Sequence, residues 1–173
     1  MSVIRNGSVQ VFTFKDGLLS RLGHDLRFRV TRFEVQVEER KVSARFRSDS
    51  LELEGAMVGT QLQPDVLGAR DRRDIEETAR EKILQIRRFP EVRFEGELDL
   101  STAERPRATG TLELVGQRQP LAIELERGGG RVRGKVVLTP SRFGIAPYKA
   151  LLGALKLQDR VELVFDLEDD ATV

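Results

Sequence analysis

Leu26-Arg27-Phe28-Arg29-Val30 is followed by Phe33-Glu34-Val35-Gln36-Val37-Glu38 and then by Val42-Ser43-Ala44-Arg45-Phe46-Arg47. In each run apolar side chains hold every second position, with charged or polar ones between. Successive side chains of an extended strand point to opposite faces, so this alternation describes strands with one buried and one wet face. The phase slips at Thr31-Arg32, which predicts a turn or bulge there. Outward from this stretch the pattern recurs. Val9 to Lys15 precedes it, and Leu51 and Leu53 follow. Later come Val92 to Leu100, Ala108 to Leu114, Leu121 to Leu125, Val132 to Leu138 and Val161 to Leu167. The prediction is a mainly β single domain over residues 1–173, an antiparallel β-barrel of about eight strands.

One segment departs from the period of two. Ile75, Ala79, Ile83 and Ile86 are spaced as on one face of a helix, with charged residues around them, which predicts a crossover helix over about 72–88. Asp71 or Asp74 is placed to cap its start, and Pro90 bars its continuation. A second short helix or turn is expected over 147–155. Arg127-Gly128-Gly129-Gly130 reads as a hairpin tip, with Glu126 facing Arg131, Glu124 facing Arg133 and Leu125 facing Val132. The same treatment of the preceding hairpin sets Leu98 opposite Gly110 and Gly96 opposite Leu112.

The chain carries 29 basic and 28 acidic side chains, a formal charge of +1. No basic excess or cluster marks a phosphate-binding footprint, so nucleic acid is not an expected partner. Arg27 and Arg29, Glu34 and Glu38, Arg45 and Arg47, and Glu52 and Glu54 form outward rows of alternating sign, which would pair neighbouring strands of a meander. With no Cys there is no disulfide, thiolate nucleophile or Cys-held metal. Met1 to Gly7 lacks a signal-peptide pattern and no run is apolar enough to span a membrane. The chain as written therefore reads as cytoplasmic, with a periplasmic placement following if a signal has been removed.

The apolar phase puts Phe14, Phe28, Phe46, Phe94 and Phe165 inside, together with Gly96, Gly110 and Gly134. Glycines in that phase have two readings. They leave an elongated cavity for one apolar ligand, or they permit coiling and close approach with no cavity. His24 stands beside Asp25, but in an extended segment the two point to opposite faces, so a turn or cavity-mouth histidine is the first reading. A general base inside the barrel is the second. The run from Arg70 to Asp74 reads as a solvated helix start.

Gly23-His24-Asp25-Leu26, Arg70-Asp71, Phe89-Pro90 with Phe94, and Gly110-Thr111-Leu112-Glu113-Leu114 with Gly116 and Pro120 occur in that order. Ser141-Arg142-Phe143-Gly144-Ile145 follows them. Their order and spacing resemble the YceI-like family across almost the whole chain. The resemblance implies a lipocalin-like barrel closed by a helix, with an apolar tunnel for a polyisoprenoid, an isoprenoid quinone or a related lipid-like small molecule. It implies a binding protein with a stress-response role, not an enzyme, with no cofactor and no metal; a homodimer is compatible with it. On this reading the ligand-binding residues are Phe14, His24, Phe28, Phe46, Phe94, Leu98, Gly110, Leu112, Leu114, Val136, Arg142, Phe143 and Phe165. His24, Arg70 or Arg142 would hold the head. The helical segment looks longer and more charged than the family's usual stretch, and the segment around Arg142 lacks the acidic residue often found before the arginine. The rivals are an enzyme using His24 and a structural protein with a filled interior.

Overall fold

The computed structural model describes residues 1–17, 23–150, 153 and 155–169. Ten long strands form where alternation is sustained: β2 (Gly7–Lys15), β3 (Asp25–Val30), β4 (Phe33–Glu38), β5 (Lys41–Arg47), β6 (Leu51–Val58), β8 (Glu91–Asp99), β9 (Arg107–Leu114), β10 (Gln117–Gly128), β11 (Arg131–Leu138) and β13 (Leu155–Glu168). These already exceed the expected eight, and three short strands, β1 (Ser2–Ile4), β7 (Gln61–Gln63) and β12 (Lys149–Ala150), bring the count to thirteen among the described residues. All pairings are antiparallel, and the sheet runs β1-β4-β5-β8-β9-β10-β11-β13-β2-β3-β6-β7, with β12 on β13, curled into a half-barrel. Of the stretch expected as a second helix, 149–150 is β12, and residues 151, 152 and 154 lie outside the described residues.

The phase slip at Thr31-Arg32 is where the chain leaves one end of the sheet for the other. β3 does not pair with β4, nor β5 with β6; the neighbours are β3 with β6 and β4 with β5. The two crossing corners are tied together. The Thr31 N–H donates to the Ser50 carbonyl at 3.1 Å and the Arg47 N–H to the Arg32 carbonyl at 3.0 Å. The Ser50 hydroxyl accepts from the Arg32 N–H at 3.0 Å and donates to the Arg47 carbonyl at 2.8 Å. The rows of opposite charge meet as a meander gives only across β4 and β5, where Glu34 opposes Arg45; the others meet across β3 and β6, Arg29 with Glu52 at 2.8 Å and Arg27 with Glu54 at 2.9 Å.

Both hairpin registers differ from expectation by two residues, which keeps every side chain on its face. Leu125 opposes Gly134 and Glu126 opposes Arg133 across β10 and β11, with Gly129 and Gly130 at φ +60° and +71° forming the two-residue turn. The acidic partner of Arg131 and Arg133 is Asp166 on β13, at 2.5 and 3.1 Å. Across β8 and β9, Gly96 opposes Gly110 and Phe94 opposes Leu112. A Cβ on Gly110 would fall 2.1 Å from the Glu95 carbonyl oxygen, and one on Gly134 would fall 2.3 Å from Cζ of Phe165. These glycines serve close approach and leave no cavity beneath them.

The helix is α1 (Ala69–Glu77), continued by a π-helical turn over Thr78–Ile83. It starts earlier and stops sooner than 72–88. Gly68 occupies the cap position with no side-chain cap, so neither Asp71 nor Asp74 fills that role. The chain turns at Gln85, where φ is +49°, before Pro90 can act. Every fourth residue of this helix docks on the edge of β6. Arg72 Nη2 donates to the Leu53 carbonyl at 2.8 Å, Glu76 Oε1 accepts from the Leu53 N–H at 2.8 Å, and Arg80 Nε donates to the Leu51 carbonyl at 2.9 Å. An open strand edge is thereby covered by side chains.

Candidate functional site

The inner surface of the sheet is covered by two separate apolar clusters. The larger contains Val35, Val42, Phe94, Leu98, Val136 and Phe143, with Phe165 packed against it. The smaller joins Leu26, Phe28, Leu53, Ala56 and Leu67, with Ile75 and Ala79 of the helical segment. Between them the interior is open, as a cavity of about 550 Å³. That is the size of a site for one small ligand. Among the described residues no large side chain is less than 2% exposed. The accessible surface is 10,894 Å², against about 8,500 Å² for a packed chain of this size, an excess to which an open interior contributes.

The strands place the wall by their period of two: Val9, Val11 and Thr13 from β2, and Leu26, Phe28 and Val30 from β3. Leu163 of β13 lies beside Val11 on the same sheet, Phe46 of β5 and Leu112 and Leu114 of β9 extend the lining, and Ile75, Ala79 and Ile83 close the helical side. Polar groups border the cavity in two places: Arg47 and Ser48 beside Phe46, and a larger set beside His24. His24 precedes β3 there, Asp71 and Asp74 lie on the first half of α1, and Tyr148 and Gln158 complete the rim.

Of the residues selected from sequence, His24, Phe28, Phe46, Leu112 and Leu114 come together on this wall. Phe94, Leu98, Val136, Phe143 and Phe165 belong to the filled cluster, and Gly110 lies against Gly96. Phe14 alternates out of phase with Val11 and Thr13, and the Arg160 guanidinium lies 5.2 Å from its ring centroid. Arg142 is exposed in a short 3-10 turn, where its carbonyl accepts from Gln119 at 2.9 Å. Arg70 is exposed and faces Asp74 at 3.9 Å. The Asp25 carboxylate accepts the Lys15 N–H at 2.9 Å, so it is engaged away from His24. Thr13 and Gln158 carried no signal in the sequence, whereas Ile75, Ala79 and Ile83 were marked by their helical spacing.

The pattern that defines the YceI-like domain matches residues 8–169. The chain belongs to the YceI-like family. Among curated proteins, none matches by sequence. Solved structures share the YceI-like fold at low identity. Burkholderia cenocepacia BcnA is 12% identical with a TM-score of 0.63, the match covering 93% of this chain and 94% of that one. A polyisoprenoid-binding domain from Saccharophagus degradans, implicated in plant cell wall breakdown, is 9% identical with a TM-score of 0.64, covering 96% and 97%. The Campylobacter jejuni YceI protein is 15% identical with a TM-score of 0.58, covering 82% of each chain. This YceI-like domain has no helix among the described residues that is long and apolar enough to cross a membrane.

Proposed function

We propose that the chain is a non-enzymatic binder of one long-chain amphiphile of the polyisoprenoid type, held in the cavity between the two core clusters. The observation that carries this reading is the unfilled apolar volume of about 550 Å³, walled by β2, β3, β13 and the helical segment. Family membership supports it, as does the likeness to a domain described as polyisoprenoid-binding. Burial of an apolar chain contributes about 0.8 kcal/mol per CH₂ before the costs of association and ordering. The wall is mostly hydrocarbon, so affinity comes from the chain and orientation from the His24 end.

The test is a titration of the purified protein with a polyprenyl chain bearing a fluorescent reporter. Saturable binding at one chain per protein is the expected result. Absence of saturable binding contradicts the reading.

A further inference from the structure

The register between β13 and β2 breaks beside the His24 end of the cavity. Leu157 pairs with Lys15 and Val161 with Thr13, so three residues of β13 oppose the single residue Phe14 of β2. Such a bulge re-aims side chains, and here it brings Gln158 to the rim in addition to the in-phase Leu157 and Val161. Gln158 Nε2 donates to the Lys15 carbonyl at 3.0 Å, which fixes the amide and leaves its second N–H to donate elsewhere.

At the same level a second, independent feature occurs. The Thr13 hydroxyl oxygen is buried and has no hydrogen-bond partner, although Thr13 borders the cavity. An unmade bond of this kind is costly, so a polar wall residue without a protein partner marks a place where something else bonds. A turn about χ1 exchanges hydroxyl and methyl and brings the donor to the open side with no bond lost. Thr13 opposes Leu26, which sets the preceding inward residue, His24, diagonally across at about 7–8 Å.

Charge is arranged against an anion at this end. Arg160 borders the cavity, but its guanidinium is paired with Glu162 and lies 5.2 Å from the Phe14 ring centroid. On the facing helix the bordering charged groups are the carboxylates of Asp71 and Asp74, exposed at the rim, with Asp74 3.9 Å from Arg70 and Asp71 the carboxylate that meets a head. Among the described residues at this end, Thr13, His24, Tyr148 and Gln158 offer hydrogen bonds, and the bordering cation, Arg160, is taken up by Glu162.

Resting on the reading above, the geometry points to Thr13 and the bulge of β13 as the reader of the ligand's head, which is an uncharged oxygen that accepts hydrogen bonds. The head lies at the His24 end and the apolar tail runs toward Phe46 and Val92. A carbonyl, ether or hydroxyl head satisfies Thr13; a phosphate head meets the Asp71 carboxylate.

The test uses the full chain and three polyprenyl probes of one length, ending in a hydrocarbon, a methyl ketone and a phosphate monoester. The protein is expected to bind the ketone about three- to tenfold tighter than the hydrocarbon, the range of one added hydrogen bond, and the phosphate most weakly. Thr13→Val removes a hydroxyl with no partner, so folding is retained, and the ketone-to-hydrocarbon ratio falls toward one. Gln158→Met, on the rim, lowers the same ratio. An unchanged ratio in Thr13→Val, or tightest binding of the phosphate, overturns the inference while the cavity reading stands. Failure of all three probes overturns both.

Discussion

The ring of Phe165 occupies the space a side chain at Gly134 would need: a Cβ built on Gly134 falls 2.3 Å from Cζ of its cross-strand partner. Aromatic cover of a strand glycine fills this part of the half-barrel. Gly134→Ala is therefore expected to lower stability by about 1–3 kcal/mol, the usual cost of overpacking, without reporting on ligand. Denaturant unfolding measures it, and an unchanged midpoint would show that the ring yields freely.

Val11 gives the opposite case, because it faces the open volume. Val11→Phe adds a ring where there is room, so the midpoint should change by less than about 1 kcal/mol, well below the overpacking cost of a filled core. Affinity for a polyprenyl chain should fall at least about tenfold, since the ring takes volume the chain needs. Loss of folding together with binding would argue that the wall is already packed.

The turn between β9 and β10 holds a β-branched residue in the left-handed region: Val115 at φ +48°, followed by Gly116 at φ +73°. This is a turn that favours Asn-Gly, and a β-branched residue is strained there. Val115→Asn should stabilise the protein by about 1 kcal/mol. Thermal unfolding at fixed pH is the check, with no gain counting against the assignment of strain.

Asp166 and Asp49 are two of the carboxylates that shape the acid limb of stability, beside Glu34 and Asp99. Asp166 is held below the usual carboxylate range by the hydrogen bond from Arg131, with Arg133 adding to it. Asp49 is held low by Arg47, with Arg32 adding to it. A group whose pKa is depressed on folding contributes its stability above its unfolded value, about 3.9 for Asp, and loses it as pH falls through the lower folded value. Stability should therefore decline as pH falls below about 4, and Asp166→Asn should make that decline shallower. An identical acid slope in the variant would remove Asp166 from the account. Added salt weakens the effect, because both groups are about a third exposed.

Much of the architecture was legible because alternation reports which face of each strand is buried, and all ten long strands carry it. Register was not, because a charge row can pair with either neighbour. Arg131 and Arg133 find Asp166 on β13, a strand far along the chain, and the expected pairing with Glu126 and Glu124 gives way to it. β1, β7 and β12 are too short to show a period. The helix start was misplaced because its first turn uses Gly68 and leaves Asp71 and Asp74 facing the cavity. Alternation also cannot tell where along the sheet an inward face is covered. It therefore grouped Phe28, Phe46, Leu112 and Leu114, which border the open volume, with Phe94, Val136 and Phe165, which lie within the packed cluster away from it. Thr13 and Gln158 depend on a bulge between strands distant in sequence, which no local pattern encodes.

The central claim is that the space between the two core clusters holds one long-chain amphiphile. Native mass spectrometry of the purified full chain, before and after addition of a polyprenyl ketone, tests it most directly. The account predicts a single added mass at one ligand per chain, and in folded Val11→Phe a strongly reduced adduct at a ligand concentration that half-saturates the unsubstituted protein. A bare protein mass at saturating ligand, or an undiminished adduct in Val11→Phe at that half-saturating concentration, would contradict it.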